Sequence, residues 1–483
     1  MARATLFFCI FAMYMKLNVR NINRITAVSA FLVAFCFFQF AYPYHLIRRE
    51  QMNLFLFDWD YIFQTYQGSG WLARLVSDFL EQFFHLPAAG PLVIAFLLTT
   101  IGITVFKITN RFFNRPVSFA ASAAFFIWSF LRETGNLYIT RYTLVMLGYF
   151  SLILIVLNIR NNWAKPVAAA ILLTFGIWTL GEPFHKHYGK PWGVPRIQYD
   201  RIIGLDVEVS KEHWDKVLKL SRKDLHMAET SYCFNLAHAM KGDLGQTLFN
   251  HIQQGDATLL LRVTTDKSPF TVSLAGEAWF QLGDMTIAEQ SAIIALQASP
   301  KHTGTRFLVR LARVNLISGE DAAAQKYLGI LSKTLFYRKW AISMMPECRT
   351  PQISRQITES RLNLAQTDFV HRSIDLRPIL LGLLEANPDN LIARNYLLCL
   401  DLLNYDLDHF IQDYTPNMIP AHNYQEAVLI WLSQEDKMTP ENAAAYGIDQ
   451  SLITRMEYFF RTPQKYRNTY WYYYLNAIER SDR

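Results

Sequence analysis

Apolar residues along the first third of the chain come in unbroken runs; beyond it they recur every third or fourth position. Five runs stand out: Ile25 to Pro43, Pro91 to Phe106, Val117 to Leu131, Tyr142 to Asn158 and Pro166 to Gly181. Runs of that length without periodicity predict membrane-spanning helices. The third is the shortest in reach, since 15 residues rise only about 22 Å at 1.5 Å each. Its small residues Ala120, Ala121, Ser122, Ala123 and Ala124 suit close packing among neighbouring helices. Between the first two runs the pattern becomes amphipathic. Leu72, Leu75, Val76, Phe79, Leu80, Phe83 and Leu86 recur at helical spacing, with Arg74, Asp78, Glu81 and His85 mostly opposite. This predicts a helix over 71–86 lying in the membrane interface.

After Gly181 no run is long enough to span. Pro183, Pro191 and Pro195 make 182–195 a stiff linker. From residue 196 to 483 the pattern reads helix, short turn, helix. The turns KGDL, LGDM and SGED carry Gly242, Gly283 and Gly319, spaced 41 and 36 residues apart, near the 34-residue tetratricopeptide period. The middle unit, AGEAWFQLGDMTIAEQSAIIALQASP, places Gly276 and Trp279 in its first helix, Ala288 and Ala295 in its second, and Pro300 at its end. Ala312, Ala324 and Leu331 take the matching places in the next unit. Small residues there let paired helices approach closely. The fold class expected is therefore all-α: about five transmembrane helices, then a tetratricopeptide-like α-solenoid of five to seven helix pairs.

Charge adds an orientation. On a five-span reading, the segments on one side hold Arg3, Lys16, Arg20, Arg24, Lys107, Arg111, Arg115, Arg160 and Lys165 and no acid. The two loops on the other side hold Arg48, Arg49, Arg74, Arg132 and Arg141 against Glu50, Asp58, Asp60, Asp78, Glu81 and Glu133. That asymmetry places the N-terminus (1–24) in the cytoplasm and the tail in the periplasm of an inner membrane. The net charge of +7 sits largely beside the apolar runs, which explains it without a nucleic-acid partner. Residues 1–14 include a short apolar stretch too brief to span, and Met15 opens the basic leader MKLNVRNINR; we read Met15 as the native start.

Candidate chemistry is sparse. The five cysteines show no CxxC or Cys/His ligand spacing, and no Walker, Rossmann, GxSxG or HExxH pattern occurs, so no metal or cofactor is expected. Asp58 and Asp60 flank Trp59 in the first outer loop. By position they resemble the acidic residues of multi-pass glycosyltransferases that use lipid-linked sugars, and they are the catalytic candidates of an alternative, enzymatic reading. Glu182, His185 and His187 alternate in the linker, but Lys186 and Lys190 oppose a cation there. The places that line the groove of such a solenoid fall on Phe270, Glu277, Gln281, Arg306, Val309 and Arg313, the candidate partner-binding residues. The expected partners are the lipid bilayer and a protein held by the repeats.

Several segments together resemble an uncharacterised family of Bacteroidota inner-membrane proteins. They are YPYHLIRREQMNLFLF (42–57), FLEQFFHLPAAGPLVIAFLL (79–98), NLAHAMKGDLGQTLFNHIQQ (235–254), the unit ending QLGDMTIAEQSA, TLFYRKWA (334–341) and TYWYYYLNA (469–477). The resemblance covers nearly the whole chain and implies a multi-pass protein with a helical-repeat tail. It brings no catalytic residues to transfer.

Overall fold

The computed structural model describes residues 19–135, 139–182, 195–299, 301–365, 376–416 and 418–481. Residues 1–14 and Met15, the linker histidines and Pro300 lie outside them. Every regular element among the described residues is a helix. The chain forms two compact units. Unit 1 comprises residues up to Asp200 together with Lys333–Arg338; unit 2 comprises Arg201–Ser332 and Lys339–Arg483. The expected repeat stretch, 196–483, thus gives up eleven residues, 196–200 and 333–338, to unit 1.

Unit 1 contains α1 (Val19–Cys36), α2 (Pro43–Gln51), α3 (Trp59–Thr65), α4 (Trp71–Glu81), α5 (Ala89–Thr109), α6 (Arg115–Glu133), α7 (Ile139–Asn158) and α8 (Ala164–Leu180). Helix α1 runs on through a wider turn, Phe37–Ala41, and Pro43 at the first turn of α2 ends that run and starts the next helix. Among the described residues three helices are long and apolar enough to cross a membrane: Ile22–Ala41, Ala89–Thr109 and Thr140–Asn158. The expected count of five full spans falls to three on that criterion. The run 117–131 lies in α6, which carries Arg115, Arg132 and Glu133 at its ends, and the run 166–181 lies in α8, an apolar helix of 17 residues.

The helices of unit 1 pack through small residues. Ser122 of α6 donates to the carbonyl of Gly102 in α5 at 2.7 Å. In α7 and α8, Gly148 lies against Leu180 and Gly176 against Tyr149, so a side chain at either glycine would collide. The ends pair consistently. Arg115 at the start of α6 donates to Asn23 of α1, and Arg111 after α5 donates to the carbonyl of Leu157 at the end of α7. At the opposite ends, Arg49 after α1 meets Glu133 at the end of α6, and the amide of Gly70 donates to Trp178 near the end of α8.

The principal helices of unit 2 are α9 (Ile197–Ser210), α10 (Trp214–Ser221), α11 (Ala228–Lys241), α12 (Pro269–Leu282), α13 (Met285–Ala298), α14 (Thr305–Ser318), α15 (Asp321–Leu331), α16 (Pro351–Ser360), α17 (Leu376–Ala386), α18 (Leu391–Leu403), α19 (Leu407–Asp413), α20 (His422–Gln434), α21 (Gln450–Arg461) and α22 (Tyr470–Ser481). Consecutive helices form hairpins, with α12 against α13, α14 against α15 and α13 against α14. Gly283 ends α12 at φ +86°, and Asp284 beside it accepts the amide of Ile287 at 3.0 Å to cap α13. One glycine and one aspartate thus close the first helix and open the second. Gly242 and Gly319 end α11 and α14 in the same left-handed conformation. Gly276 faces Ser291 and Ala288 of α13, where a β-carbon would not fit, and Ala288, Ala295, Ala312 and Ala324 are fully buried. The main core of unit 2 runs from Leu205 in α9 to Trp471 in α22. The YWYYY run starts α22, with its first amide donating to Glu426 of α20 at 2.8 Å.

Candidate functional site

In unit 1 the loop side of the helices holds a buried polar cluster. It is built on α2, whose first-turn amides at Tyr44 and His45 point at the Asp200 carboxylate, 3.4 and 2.7 Å away. Burial pushes the Asp200 carboxyl up to about 7, against those two donors, which lower it. One turn on, Arg49 is 1% exposed and pairs at 2.8 Å with Glu133, which is 0% exposed. Arg49 also donates to the Glu133 carbonyl at 2.6 Å and to Thr140 at 3.1 Å, while Thr143 donates to the second Glu133 oxygen at 2.5 Å. His45 lies 3.4 Å from the Arg49 guanidinium. Burial first, then Arg49 and Arg48, hold its pKa well below the usual imidazole range, so its Nε2 accepts from Arg49. The result ties α2, α6 and α7 with charge-assisted hydrogen bonds that leave little room for a ligand.

Helix α4 supplies the next layer, with its polar stripe turned inward. Its buried residues are Ala73, Ser77, Asp78 and Glu81, whereas Leu72, Leu75, Val76, Phe79 and Leu80 are only half-buried. Asp78 accepts from Tyr66 at 2.9 Å and Glu81 from Asn53 at 3.3 Å. The polar stripe faces inward because buried donors wait for it there; the apolar stripe is left facing out. Just before α4, the GSG sequence caps a helix end: Ser69 and Gly70 donate to the carbonyls of Ile177 and Trp178 in α8.

Residues 333–338 close this side of unit 1. Tyr337 donates to buried Glu50 at 3.3 Å, and His85 Nδ1 stands 3.8 Å from the same carboxylate. Phe336 stacks on the His85 ring at 5.3 Å between centroids. The Phe57 amide donates to the Lys333 carbonyl at 2.7 Å, and Lys333 Nζ reaches Asp58 at 2.5 Å. Three of the segments that carry the family resemblance, 42–57, 79–98 and 334–341, therefore meet here. Sequence reasoning misses this cluster because Arg49, Glu50, Asp78, Glu81 and Glu133 fall between apolar runs and read as loop charges. The near-balance of sign across the two loops that hold them is the available signal, since balanced charges can pair with one another inside.

The aspartates of the DWD sequence, Asp58 and Asp60, take local roles. Asp58 caps α3 by accepting the Tyr61 amide at 3.2 Å, and its bond to Lys333 holds its carboxyl below the usual range. Asp60 is exposed in the first turn of α3.

In unit 2 the structure brings three of the six groove candidates, Glu277, Arg306 and Arg313, into one region as internal ion pairs. Arg306 of α14 bonds Asp206 of α9 and lies 3.2 Å from Glu277 of α12, which also bonds Arg310. Arg313 pairs with Glu212 at 2.7 Å. Arg310 and Arg313 both stand over the Phe280 ring, at 3.8 and 4.9 Å. Burial opposes the charge on Arg306, but Asp206 and Glu277 outweigh it and raise its pKa; Arg310, with burial dominant, is lowered to about 10. Phe270, Glu277 and Arg306 are buried, while Gln281, Val309 and Arg313 are half-buried. Helix α9, which brings Asp206 here, buries Leu205 and Val209 in the main core, so it is a fixed part of this face.

Among the described residues no group of three or more His, Cys, Asp or Glu side chains is placed to hold a metal ion. A small apolar cleft of about 170 Å³ opens beside α22, lined by Ile430, Met456, Phe459, Trp471 and Leu475 among others. No curated protein and no solved structure matches the chain. A family model does, over residues 19–186 and again over 184–477, the two stretches meeting at the expected linker. On that match the chain belongs to the family of unknown function DUF6057.

Proposed function

We propose that this protein is a membrane-anchored scaffold: unit 1 holds it in a bacterial inner membrane, and unit 2 is a periplasmic α-solenoid that binds envelope or secreted proteins. The observation that carries the reading is the stack of glycine-closed hairpins α12–α13 and α14–α15, in a chain that also has three helices able to cross a membrane. Stacked hairpins of this kind present extended surfaces to protein partners.

The end pairings of unit 1 favour five crossings. Arg115 meets Asn23 at one end of the bundle and Glu133 meets Arg49 at the other, so α6 travels the same distance as α1 beside it. Helix α8 begins after Asn158 and ends beside Gly70, which returns it to the Arg49 end. At 1.5 Å per residue these two helices are about 28 and 25 Å long, close to a hydrocarbon core of about 30 Å. Arg24, Lys107, Arg111, Arg115, Arg160 and Lys165 then gather at the cytoplasmic end. Three crossings and five crossings put the tail on the same side.

Alkaline phosphatase fused after Pro195 is expected to be active; a stable but inactive fusion would overturn the sidedness. Photo-crosslinking in intact cells from the half-buried Val309 and Gln281 is expected to capture a protein. Lipid-only adducts from both, with other exposed positions of unit 2 equally silent, would end the scaffold reading.

A further inference from the structure

We infer that helix α3 and its flanks form an aromatic anchor seated in the outer headgroup layer of the bilayer, with Trp59 and Phe63 as the inserted rings. The inference rests on the membrane reading of unit 1. Trp59 is 75% exposed and Phe63 68%, and the two rings stack at 6.1 Å with planes 30° apart. Large rings left facing outward side by side mark a surface that meets something apolar.

Three observations say that the something is lipid. The loop bearing α3 stands at the Arg49–Glu133 end of the crossing helices, where the chain leaves the hydrocarbon. At that same end Trp178 of α8, itself 56% exposed, meets Trp71 of α4 edge to face at 5.8 Å, so the outward face of α8 continues onto α4. The half-buried apolar stripe of α4 then reaches α3 through Phe79 and Phe57, whose rings are 6.3 Å apart. Apolar contacts thus run from a bundle helix to Phe57, two residues before Trp59. Trp and Tyr gather at this depth because an indole or phenol has an apolar body and a polar edge. The DWD sequence then has one role for each residue: Asp58 caps the helix and holds Lys333, Trp59 enters the interface, and Asp60 stays in the hydrated layer.

The test uses the full chain in phosphatidylethanolamine–phosphatidylglycerol nanodiscs. Exposed Cys36 and Cys348, and Cys9, are replaced by Ala, and buried Cys233 and Cys399 are kept. An environment-sensitive fluorophore is attached in turn through W59C, F63C, I171C on the exposed face of α8, and K267C on the surface of unit 2. Gel filtration confirms that each labelled chain is monodisperse, and F63C carries the test if W59C does not fold. Labels at 59 and 63 are expected to emit to the blue of the label at 267, to be quenched by lipids brominated near the headgroup, and to show several-fold weaker iodide quenching. Iodide quenching equal to that at 267, with position 171 still quenched by bromolipid, would sink the anchor and leave the membrane reading intact. Shielding from both quenchers would mean a protein covers α3, which also ends the proposal. Absence of bromolipid quenching at 171 would remove the membrane reading itself.

Discussion

Helices α4 and α21 carry the same kind of amphipathic pattern and bury opposite sides of it. In α21, Leu452, Met456 and Phe459 turn into the core of unit 2 while Arg455 and Glu457 stay outside. In α4, Ser77, Asp78 and Glu81 turn in, and Leu72, Leu75 and Val76 are left partly outside. The difference lies in the surroundings. Unit 2 follows the rule for water, in which apolar area is removed from solvent. On the proposed membrane reading, the loop side of unit 1 follows the rule for lipid, in which the apolar stripe has a solvent of its own and polar groups find each other inside.

The most forceful way to break this comparison is to remove one buried charge from each unit. Arg49→Ala leaves Glu133 buried without its cation and is expected to destabilise unit 1 by about 3–5 kcal/mol, as is Arg306→Ala in unit 2 through Asp206 and Glu277. Thermal unfolding of the full chain in detergent reads both. If Arg49→Ala melts with the wild type while Arg306→Ala does not, water reaches the cluster of unit 1 and the contrast with unit 2 collapses.

A second test concerns unit 2 alone. Burial raises the Glu426 carboxyl from 4.5 to about 7, against the Tyr470 amide and Arg455, which lower it. A folded-state pKa above the unfolded one means that folding takes up a proton between those values, so this contribution to stability is present below about pH 4.5 and is lost as pH rises through 7. Glu426→Gln keeps an acceptor for the Tyr470 amide and removes the titration. It should stabilise unit 2 at pH 8 by at most about 3 kcal/mol and gain nothing at pH 4.5; a pH-independent difference in denaturation midpoint would show that Glu426 does not titrate in that window.

Gly283→Ala probes the hairpin geometry that supports the scaffold reading. A β-carbon at φ +86° would meet the Asn363 carbonyl, so the loss should exceed the roughly 1–2 kcal/mol of left-handed strain alone. Gly242→Ala, where nothing lies within 4 Å, should lose only that strain. Equal melting shifts for the two would remove the packing argument. The smallest effect is expected from Asp58→Asn with Asp60→Asn. Asn still caps α3, and only an exposed ion pair goes. Melting and crosslinked partners should not change; loss of cellular function with both preserved would revive the enzymatic reading.

The sequence disclosed features whose physics is local. Gly242, Gly283 and Gly319 announced helix ends because few other residues accept a positive φ, and the long apolar runs announced helices because their backbone must satisfy itself. The periodicity of 71–86 also announced an amphipathic helix, but periodicity says only that two faces differ. Which face turns inward depends on Asn53 and Tyr66, and no spacing within the helix contains them. The repeat pattern marks Glu277, Arg306 and Arg313 as candidates, yet the acidic partners Asp206 and Glu212 of the two arginines lie about a hundred residues earlier. For the same reason nothing around Tyr337 suggested that it would bond Glu50.

That last contact also bears on how the molecule is made. The residues that finish unit 1 at Glu50, His85 and Asp58 leave the ribosome only after more than a hundred residues of unit 2 have been synthesised. At typical rates of about 5–20 residues per second, the first helices wait on the order of ten seconds with an incomplete face. During that interval the Glu50 carboxylate lacks the Tyr337 hydroxyl that it meets in the finished protein. A chain cut after the linker would lack that contact permanently.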